Sequence, residues 1–181
     1  LLGRHNVYNC LASMGIALDL GLTIHEIQEG LDGVKLTGMR LERTAGIRGA
    51  TIINDTYNAN PSSMLASLEV LKEFRNMRTI AVLGDMLELG NIAPQKHREI
   101  GEAVVRLGIN LLVTVGKLGE YIAEAAIAEG MSPDNMFITY DNKEAISYLR
   151  DILGPGDVLL IKGSRMLGME DMVRNLEEPG S

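Results

Sequence analysis

The pattern of apolar and polar residues changes character close to residue 38. Before that point, residues 6–20 carry apolar side chains at helical spacing, and a glycine follows them. Thr23 can then cap a second helix, because Glu26 stands three positions later and completes a capping box. The sequence therefore predicts two short amphipathic helices, followed by a linker over residues 33–38 that begins and ends with glycine.

Beyond the linker, short β-rich runs alternate with helical patterns. The runs at 80–83 and 158–161 are apolar throughout, as expected when helices cover both faces of a parallel sheet. This alternation predicts an α/β fold, a Rossmann-like, open and mostly parallel sheet of about six strands flanked by helices. The predicted strands are 40–43, 51–54, 79–83, 111–115, 136–139 and 158–161, and the predicted helices are 62–74, 94–107, 118–129, 143–153 and 169–176.

Composition narrows the class of protein. Of the 181 residues, 46% are hydrophobic and 23% charged, which is ordinary for a globular protein with a substantial core. The formal net charge of -7 argues against nucleic acid as a partner, because phosphate binding needs clustered lysine and arginine. No apolar run approaches the roughly 18 to 20 residues of a membrane span. The chain starts without methionine or a signal peptide, so we interpret it as part of a longer protein.

Polar loops follow three of the predicted strands, at 54–61, 84–90 and 162–165. Because ligands of open α/β sheets bind at the carboxyl ends of the strands, we expect these loops to converge on one edge. Asp55 could accept hydrogen bonds from ribose hydroxyls while Asn58 and Asn60 orient a polar substrate. The alternative is that the first loop is a turn that caps the next helix, as Asn, Asp and Pro often do.

The third loop and the first helix offer further candidates. Lys162 and Arg165 precede a predicted helix start, where backbone amides and the helix dipole favour a phosphate or carboxylate; alternatively, they are surface cations. Asn6 and Asn9 share a helix face and could match the donor and acceptor of an adenine edge, or Asn6 could cap the helix. The residues alone support an α/β domain that binds an anionic or nucleotide-like ligand.

At these motifs the sequence resembles the Mur ligases. Residues 3–9, Gly-Arg-His-Asn-Val-Tyr-Asn, resemble that family's G-x-H-N-x-x-N segment. Residues 54–61, Asn-Asp-Thr-Tyr-Asn-Ala-Asn-Pro, resemble the D-S/T-Y-N-A-N-P signature of the member that adds D-alanyl-D-alanine. Residues 83–90 and 162–165 are similar to two further signatures of the same member. One departure is Met39, which separates Gly38 from Arg40 where the family often has Gly-Arg.

The resemblance implies a cytoplasmic, monomeric and ATP-dependent ligase of peptidoglycan synthesis. ATP would phosphorylate the terminal carboxylate of UDP-N-acetylmuramoyl-tripeptide, and the amine of D-alanyl-D-alanine would attack the acyl phosphate. Residues 1–37 would be the C-terminal helices of the central ATP-binding domain, and residues 38–181 the C-terminal Rossmann-like domain. The partners would include the protein's own central and N-terminal domains, with the Mg2+ ligands in the central domain. We therefore expect this chain alone to be inactive.

The resemblance also implies roles for individual residues. Arg40 and Asp55 would be catalytic and would reach ATP, Arg40 at a phosphate and Asp55 at the ribose. Asn6 and Asn9 would contact the adenine, with His5 near the nucleotide. The residues expected to hold the incoming dipeptide or the peptide end of the nucleotide substrate are Asn58, Asn60, Ser164 and Arg165.

Two other functions remain open. A related ligase of the same superfamily, such as folylpolyglutamate synthase, would use another amine, although the runs at 57–60 and 162–165 count against it. A non-catalytic Rossmann module that binds nucleotides or anions would bind its ligand tightly as an isolated chain. The ligase hypothesis predicts weak binding instead, because the site would close only between domains.

Overall fold

The computed structural model describes residues 4–34 and 38–178, with the backbone alone for Arg4 and His5. The chain divides into two compact units, Leu1–Thr37 and Gly38–Ser181. Half of the linker predicted at 33–38, residues 35–37, lies outside the described residues. None of the described helices combines the length and the apolar character needed to cross a membrane.

The first unit contains two helices, α1 (Arg4–Asp19) and α2 (Ile24–Asp32). The predicted capping box is confirmed: the Thr23 hydroxyl accepts the Glu26 amide at 3.3 Å, and the Glu26 carboxylate accepts the Thr23 amide at 2.8 Å. Many large apolar side chains of this unit are exposed. They are Val7, Tyr8, Leu11, Ile16, Leu18, Leu20, Leu22, Ile24 and Val34.

The second unit is built on a six-stranded sheet with the order β1-β2-β6-β3-β4-β5. The strands are β1 (Glu42–Ala45), β2 (Thr51–Asn54), β3 (Arg78–Gly84), β4 (Leu111–Val115), β5 (Met136–Thr139) and β6 (Asp157–Lys162). Strand β1 runs antiparallel to β2, and every other neighbouring pair is parallel. The predicted α/β class and mostly parallel sheet are therefore confirmed.

Helices cover both faces of this sheet, which explains the uniformly apolar central strands. One layer contains α3 (Pro61–Lys72), α4 (Ala93–Arg106) and α5 (Gly119–Ala128), and the other contains α6 (Asn142–Ile152) and α7 (Glu170–Leu176). The connections from β2 through β5 progress in one direction across the sheet, and α6 then returns the chain to β6. Because crossover connections between parallel strands are right-handed, the connection from β5 back to β6 places α6 on the face of the sheet opposite to α3, α4 and α5.

One predicted strand is wrong at its start. The sequence predicts a strand over 40–43, whereas β1 begins at Glu42. Met39 and Leu41 have φ angles of 65° and 51°, in the left-handed region that ends an extended backbone. Arg40 therefore lies in a turn that precedes the strand.

Helices α4 and α5 pack closely because Gly101 has no side chain. A Cβ at Gly101 would overlap the backbone carbonyl of Ile122 and lie 2.9 Å from the Cβ of Ala125. The obstructing atom is backbone, so a rotamer change cannot relieve the overlap. The two helices would have to separate along their buried faces.

We expect Gly101→Ala to lower the free energy of unfolding by about 1–3 kcal/mol, the usual range for overpacking a core. Gly154→Ala is the matched control, because a Cβ at Gly154 would meet no atom within 4 Å. Thermal and denaturant unfolding followed by circular dichroism would compare the two variants. Equal stability of both variants would contradict this account of the α4–α5 contact.

Candidate functional site

The three polar loops lie side by side at one edge of the sheet, because β2, β6 and β3 are parallel neighbours. Helices α3 and α4, which follow β2 and β3, lie in one layer, whereas α7, which follows β6, lies in the other. The chain thus leaves adjacent strands toward opposite faces. In open α/β sheets such a switch point forms the ligand crevice.

A buried ion pair joins the loop that follows β2 to the end of β6. The Lys162 ammonium lies 2.6 Å from Asp55 Oδ2, with the two side chains 3% and 10% exposed. Lys162 also donates to the Asn58 carbonyl oxygen at 3.0 Å. Burial lowers the pKa of Lys162, and the Asp55 carboxylate opposes that shift. The expectation that Lys162 is a surface cation or binds an external anion is therefore wrong, because its ammonium is enclosed and paired.

The Asp55 carboxylate accepts two further hydrogen bonds. The Ser67 hydroxyl, on α3, donates to Oδ2 at 2.5 Å, and the Leu41 amide donates to Oδ1 at 3.2 Å. Asp55 thereby connects the turn before β1, the helix α3 and the end of β6. Ser67 has no signal in the sequence as a partner of Asp55, since it is a small polar residue on an otherwise apolar helix face.

Arg40 projects from a strained turn above this ion pair. Non-glycine residues in the left-handed region, here Met39 and Leu41, cost on the order of 1–3 kcal/mol each and are enriched at functional sites. Glu42 accepts the Met39 amide at 2.9 Å, and the Tyr57 amide donates to the Met39 carbonyl at 3.1 Å. The guanidinium of Arg40, an exposed residue, lies 4.3 Å from the centre of the Tyr57 ring. The turn therefore holds a cation at the sheet edge.

Arg165 and Ser164 differ in what they offer to a ligand. The Arg165 guanidinium is about half exposed, 2.9 Å from the Met39 sulfur and 3.3 Å from a Glu170 carboxylate oxygen. Ser164 is buried: its hydroxyl accepts the Leu87 amide at 2.8 Å, and its amide donates to the Asp85 carbonyl at 3.0 Å. Ser164 therefore ties the loop after β6 to the loop after β3.

The two asparagines of the first loop also differ. Asn60 caps α3, since its side-chain oxygen accepts the Ser63 amide at 2.9 Å and the Ser63 hydroxyl accepts the Asn60 amide at 3.1 Å. The Asn60 side-chain oxygen is thus used in helix capping, which is the alternative that the sequence left open. Asn58 is exposed, and Lys162 fixes its backbone through the carbonyl oxygen.

Buried titratable groups hold the loop after β3. Asp85 accepts the Gly119 amide at 2.9 Å; burial raises its pKa, and that hydrogen bond opposes the shift. His97 is fully buried, with Nε2 accepting the Met86 amide at 2.9 Å and Nδ1 lying 2.7 Å from the Ala93 carbonyl. Only the neutral ring protonated on Nδ1 satisfies both contacts. Burial lowers the pKa of His97. The hydrogen bond to Ala93 and the negative charge of Asp85 act to raise that pKa, but burial has the larger effect.

A cavity of about 450 Å³ lies beside this loop. It opens between the segment after β3, the start of α4 and the start of α5. Most of its lining side chains are apolar. The lining residues are Met86, Leu87, Glu88, Leu89, Gly90, Asn91, Ala93, Pro94 and Leu118.

The remaining candidates lie on α1. Asn9 donates to the Asn6 side-chain oxygen at 3.4 Å, which confirms that the two amides share a helix face. The side chain of His5 lies outside the described part of the structure. Within residues 4–34 and 38–178, no group of three or more His, Cys, Asp or Glu side chains could hold a metal ion.

Known proteins match this chain along most of its length. The family model "Mur ligase, glutamate ligase domain" matches residues 39–165. The UDP-N-acetylmuramoyl-tripeptide–D-alanyl-D-alanine ligase of Bacillus subtilis is 36% identical over 98% of this chain, which spans 39% of that relative's length. The crystal structure of MurF from Acinetobacter baumannii is 31% identical with a TM-score of 0.85, over 96% of this chain and 38% of that one. MurF ligase from Thermotoga maritima, solved in complex with ADP, is 26% identical with a TM-score of 0.80, over the same shares of both chains.

We expect Lys162→Met to lower the free energy of unfolding by about 3–5 kcal/mol, because Asp55 would be left as an uncompensated buried charge. Adding Asp55→Asn should recover part of that loss, since the stranded charge is removed. Lys72→Met is the matched control, because the Lys72–Glu69 pair is exposed and its atoms are 3.9 Å apart; its effect should stay below about 1 kcal/mol. Urea unfolding of these proteins and of the Asp55→Asn single variant provides the comparison, and additive effects at positions 55 and 162 would contradict the pairing.

His97 should make stability depend on pH. In the unfolded chain its pKa returns toward its ordinary value of 6.5, so the unfolded state binds more protons below that pH. Stability should therefore fall as the pH drops from about 7 toward 5. The raised pKa of Asp85 has the opposite effect: as the pH falls toward its ordinary pKa of 3.8, protonation of Asp85 favours the folded state. This contribution should remain when His97 is replaced. His97→Gln should flatten the pH dependence of urea unfolding, whereas the exposed-site control His25→Gln should not; identical slopes in all three proteins would refute the assignment.

Proposed function

The chain belongs to the Mur ligase family, and from that premise we propose that it is the C-terminal part of the ligase that joins D-alanyl-D-alanine to UDP-N-acetylmuramoyl-tripeptide. One observation carries the proposal. The three segments that resemble this particular member, 54–61, 83–90 and 162–165, meet at one edge of the sheet. The Asp55–Lys162 pair and the Ser164–Leu87 hydrogen bond join them.

The reaction we propose has two steps. A carboxylate oxygen of the tripeptide attacks the γ-phosphorus of ATP, so ADP leaves and an acyl phosphate forms. The amine of D-alanyl-D-alanine then attacks the acyl carbon, and inorganic phosphate leaves as the nitrogen loses a proton. Activation is needed because a free carboxylate is a poor electrophile. Positioned cations lower both barriers, since negative charge develops on the oxygens in each step.

Arg40 is our candidate for a cation that contacts the phosphate being transferred. Its support is the strained turn, the Tyr57 ring contact and its exposure at the sheet edge. We assign Asp55 a positioning role alongside any ribose contact, because its Oδ1 accepts the amide of Leu41, the residue after Arg40. Arg165 and Asn58 are candidates for contacts with the dipeptide or the peptide end, and Asn6 and Asn9 for contacts with the adenine.

The rest of the ligase would lie in other domains of a longer protein. This chain spans about two fifths of the length of the curated relatives it matches. We assign Leu1–Thr37 to the end of the central domain, and the exposed apolar side chains of α1 and α2 support that assignment. The phosphate loop and the Mg2+ ligands would belong to that domain. We propose that the complete protein is a cytoplasmic monomer.

The direct experiment measures phosphate release from ATP by the full-length protein with UDP-N-acetylmuramoyl-tripeptide. We expect release with D-alanyl-D-alanine and none with L-alanine, D-glutamate or diaminopimelate. Arg40→Ala should lower kcat by about 10²- to 10³-fold, the usual loss when one charge-stabilising donor is removed. Arg43→Ala, an exposed arginine of β1, should retain activity.

Other results would point elsewhere. Release with a different amine would keep the superfamily and change the substrate. No release with any amine, together with tight nucleotide binding by the chain alone, would favour a binding module. Ligation by this chain alone would contradict the proposed division of the site between domains.

A further inference from the structure

Hydrogen bonds to buried side chains fix the walls of the cavity beside the loop after β3. Its Met86 amide donates to buried His97, and its Leu87 amide donates to buried Ser164. At the third wall, the amide of Gly119, which follows Leu118, donates to buried Asp85. A pocket with fixed walls binds a ligand with little loss of conformational entropy.

The lining of this cavity indicates which chemistry it would accept. Its volume of about 450 Å³ falls within the usual range for small-molecule sites. Glu88 is the one charged residue in its lining, and it stands at a φ of 68°, in the strained left-handed region. Among the residues that the structure describes, no lysine, arginine or histidine lines the cavity. A polyanion such as a nucleotide would therefore meet an acidic group and find no opposite charge there.

We propose that this cavity binds the methyl side chains of the incoming dipeptide, an inference that rests on the proposed function. Of the three proposed substrates, ATP and the UDP-linked peptide carry phosphate groups. The dipeptide is a small zwitterion with two methyl groups, which matches an apolar pocket that carries one carboxylate. Neither methyl group needs a hydrogen bond, so its transfer from water to the cavity is favourable.

The neighbouring loop orients the dipeptide. Ser164 contacts the cavity wall through Leu87 at 2.8 Å, and Arg165 is the next residue. The half-exposed Arg165 guanidinium follows directly on the residue that contacts this wall, and it suits the dipeptide's carboxylate. The methyl groups would occupy the cavity while the amine stays outside it, available for attack.

The first test varies the substrate and leaves the protein unchanged. Full-length wild-type protein is assayed for ATP-dependent phosphate release with D-alanyl-D-alanine, glycyl-D-alanine, D-alanylglycine and glycylglycine. We expect kcat/KM to fall by roughly fourfold for each methyl group removed, as for the burial of one carbon. Equal kcat/KM for all four dipeptides would overturn the proposal.

The second test changes the cavity. Leu118→Phe should fill part of it and raise the KM for D-alanyl-D-alanine by about fifteenfold, the effect of losing roughly two buried carbons. The KM values for ATP and UDP-N-acetylmuramoyl-tripeptide should stay within about twofold, because those substrates bind elsewhere. Ile127→Phe is the control, since Ile127 is exposed near the other end of the same helix and lies outside the cavity lining.

The outcomes separate the cavity assignment from the proposed function. If the wild-type protein does not use D-alanyl-D-alanine, the proposed function fails and the cavity assignment falls with it. If the wild type uses the dipeptide but the Leu118 and Ile127 variants behave alike, the cavity assignment alone is overturned. A rise in the KM for the UDP-linked tripeptide would overturn it in favour of the peptide end. If Leu118→Phe melts before the assay temperature, the dipeptide series decides.

Discussion

The arrangement of the site depends on one buried ion pair, Asp55 with Lys162. Removing both charges from water is expensive, and the pair is tolerated because each member has further partners: a hydroxyl and an amide for the carboxylate, a carbonyl for the ammonium. These partners come from the turn before β1, from α3 and from the loop after β2. The pair therefore determines where four separate segments of the chain lie at the switch point of the sheet.

This pairing separates the candidate residues into those that hold the site and those that can meet a ligand. Asp55, Asn60 and Ser164 use side-chain oxygens to fix the turn, the helix start and the loop contact. Arg40, Asn58 and Arg165 lie on the same segments with exposed side chains. A signature rich in polar residues therefore need not be a set of ligand contacts, because much of its polarity satisfies backbone groups at the ends of strands and helices.

The sequence predicts the sheet well and the internal contacts of the site poorly, for a physical reason. Short runs rich in β-branched and other apolar residues identify strands, so the bounds of β2, β4 and β5 agree with the prediction. The turn at Arg40 escapes prediction because Met39 and Leu41 are not residues that signal a positive φ. The burial of Lys162 escapes it because its partner is 107 positions away in the chain. The resemblance to a family pointed to segments that meet at one edge of the sheet, yet the division between holding and presenting residues depends on contacts that only the folded chain shows.

The two halves of the sheet edge have opposite chemical character, and Ser164 stands at their junction. On the side of β2 and β6 are the cations Arg40, Arg165 and buried Lys162; on the side of β3 is an apolar cavity whose one charge is the carboxylate of Glu88. If the proposed function holds, this asymmetry suits the reaction. A phosphate leaving group needs cations, and those cations act more strongly where apolar walls exclude water. An incoming amine must be uncharged to attack, and the cations on the side of β2 and β6 favour that form, because a nearby positive charge disfavours protonation.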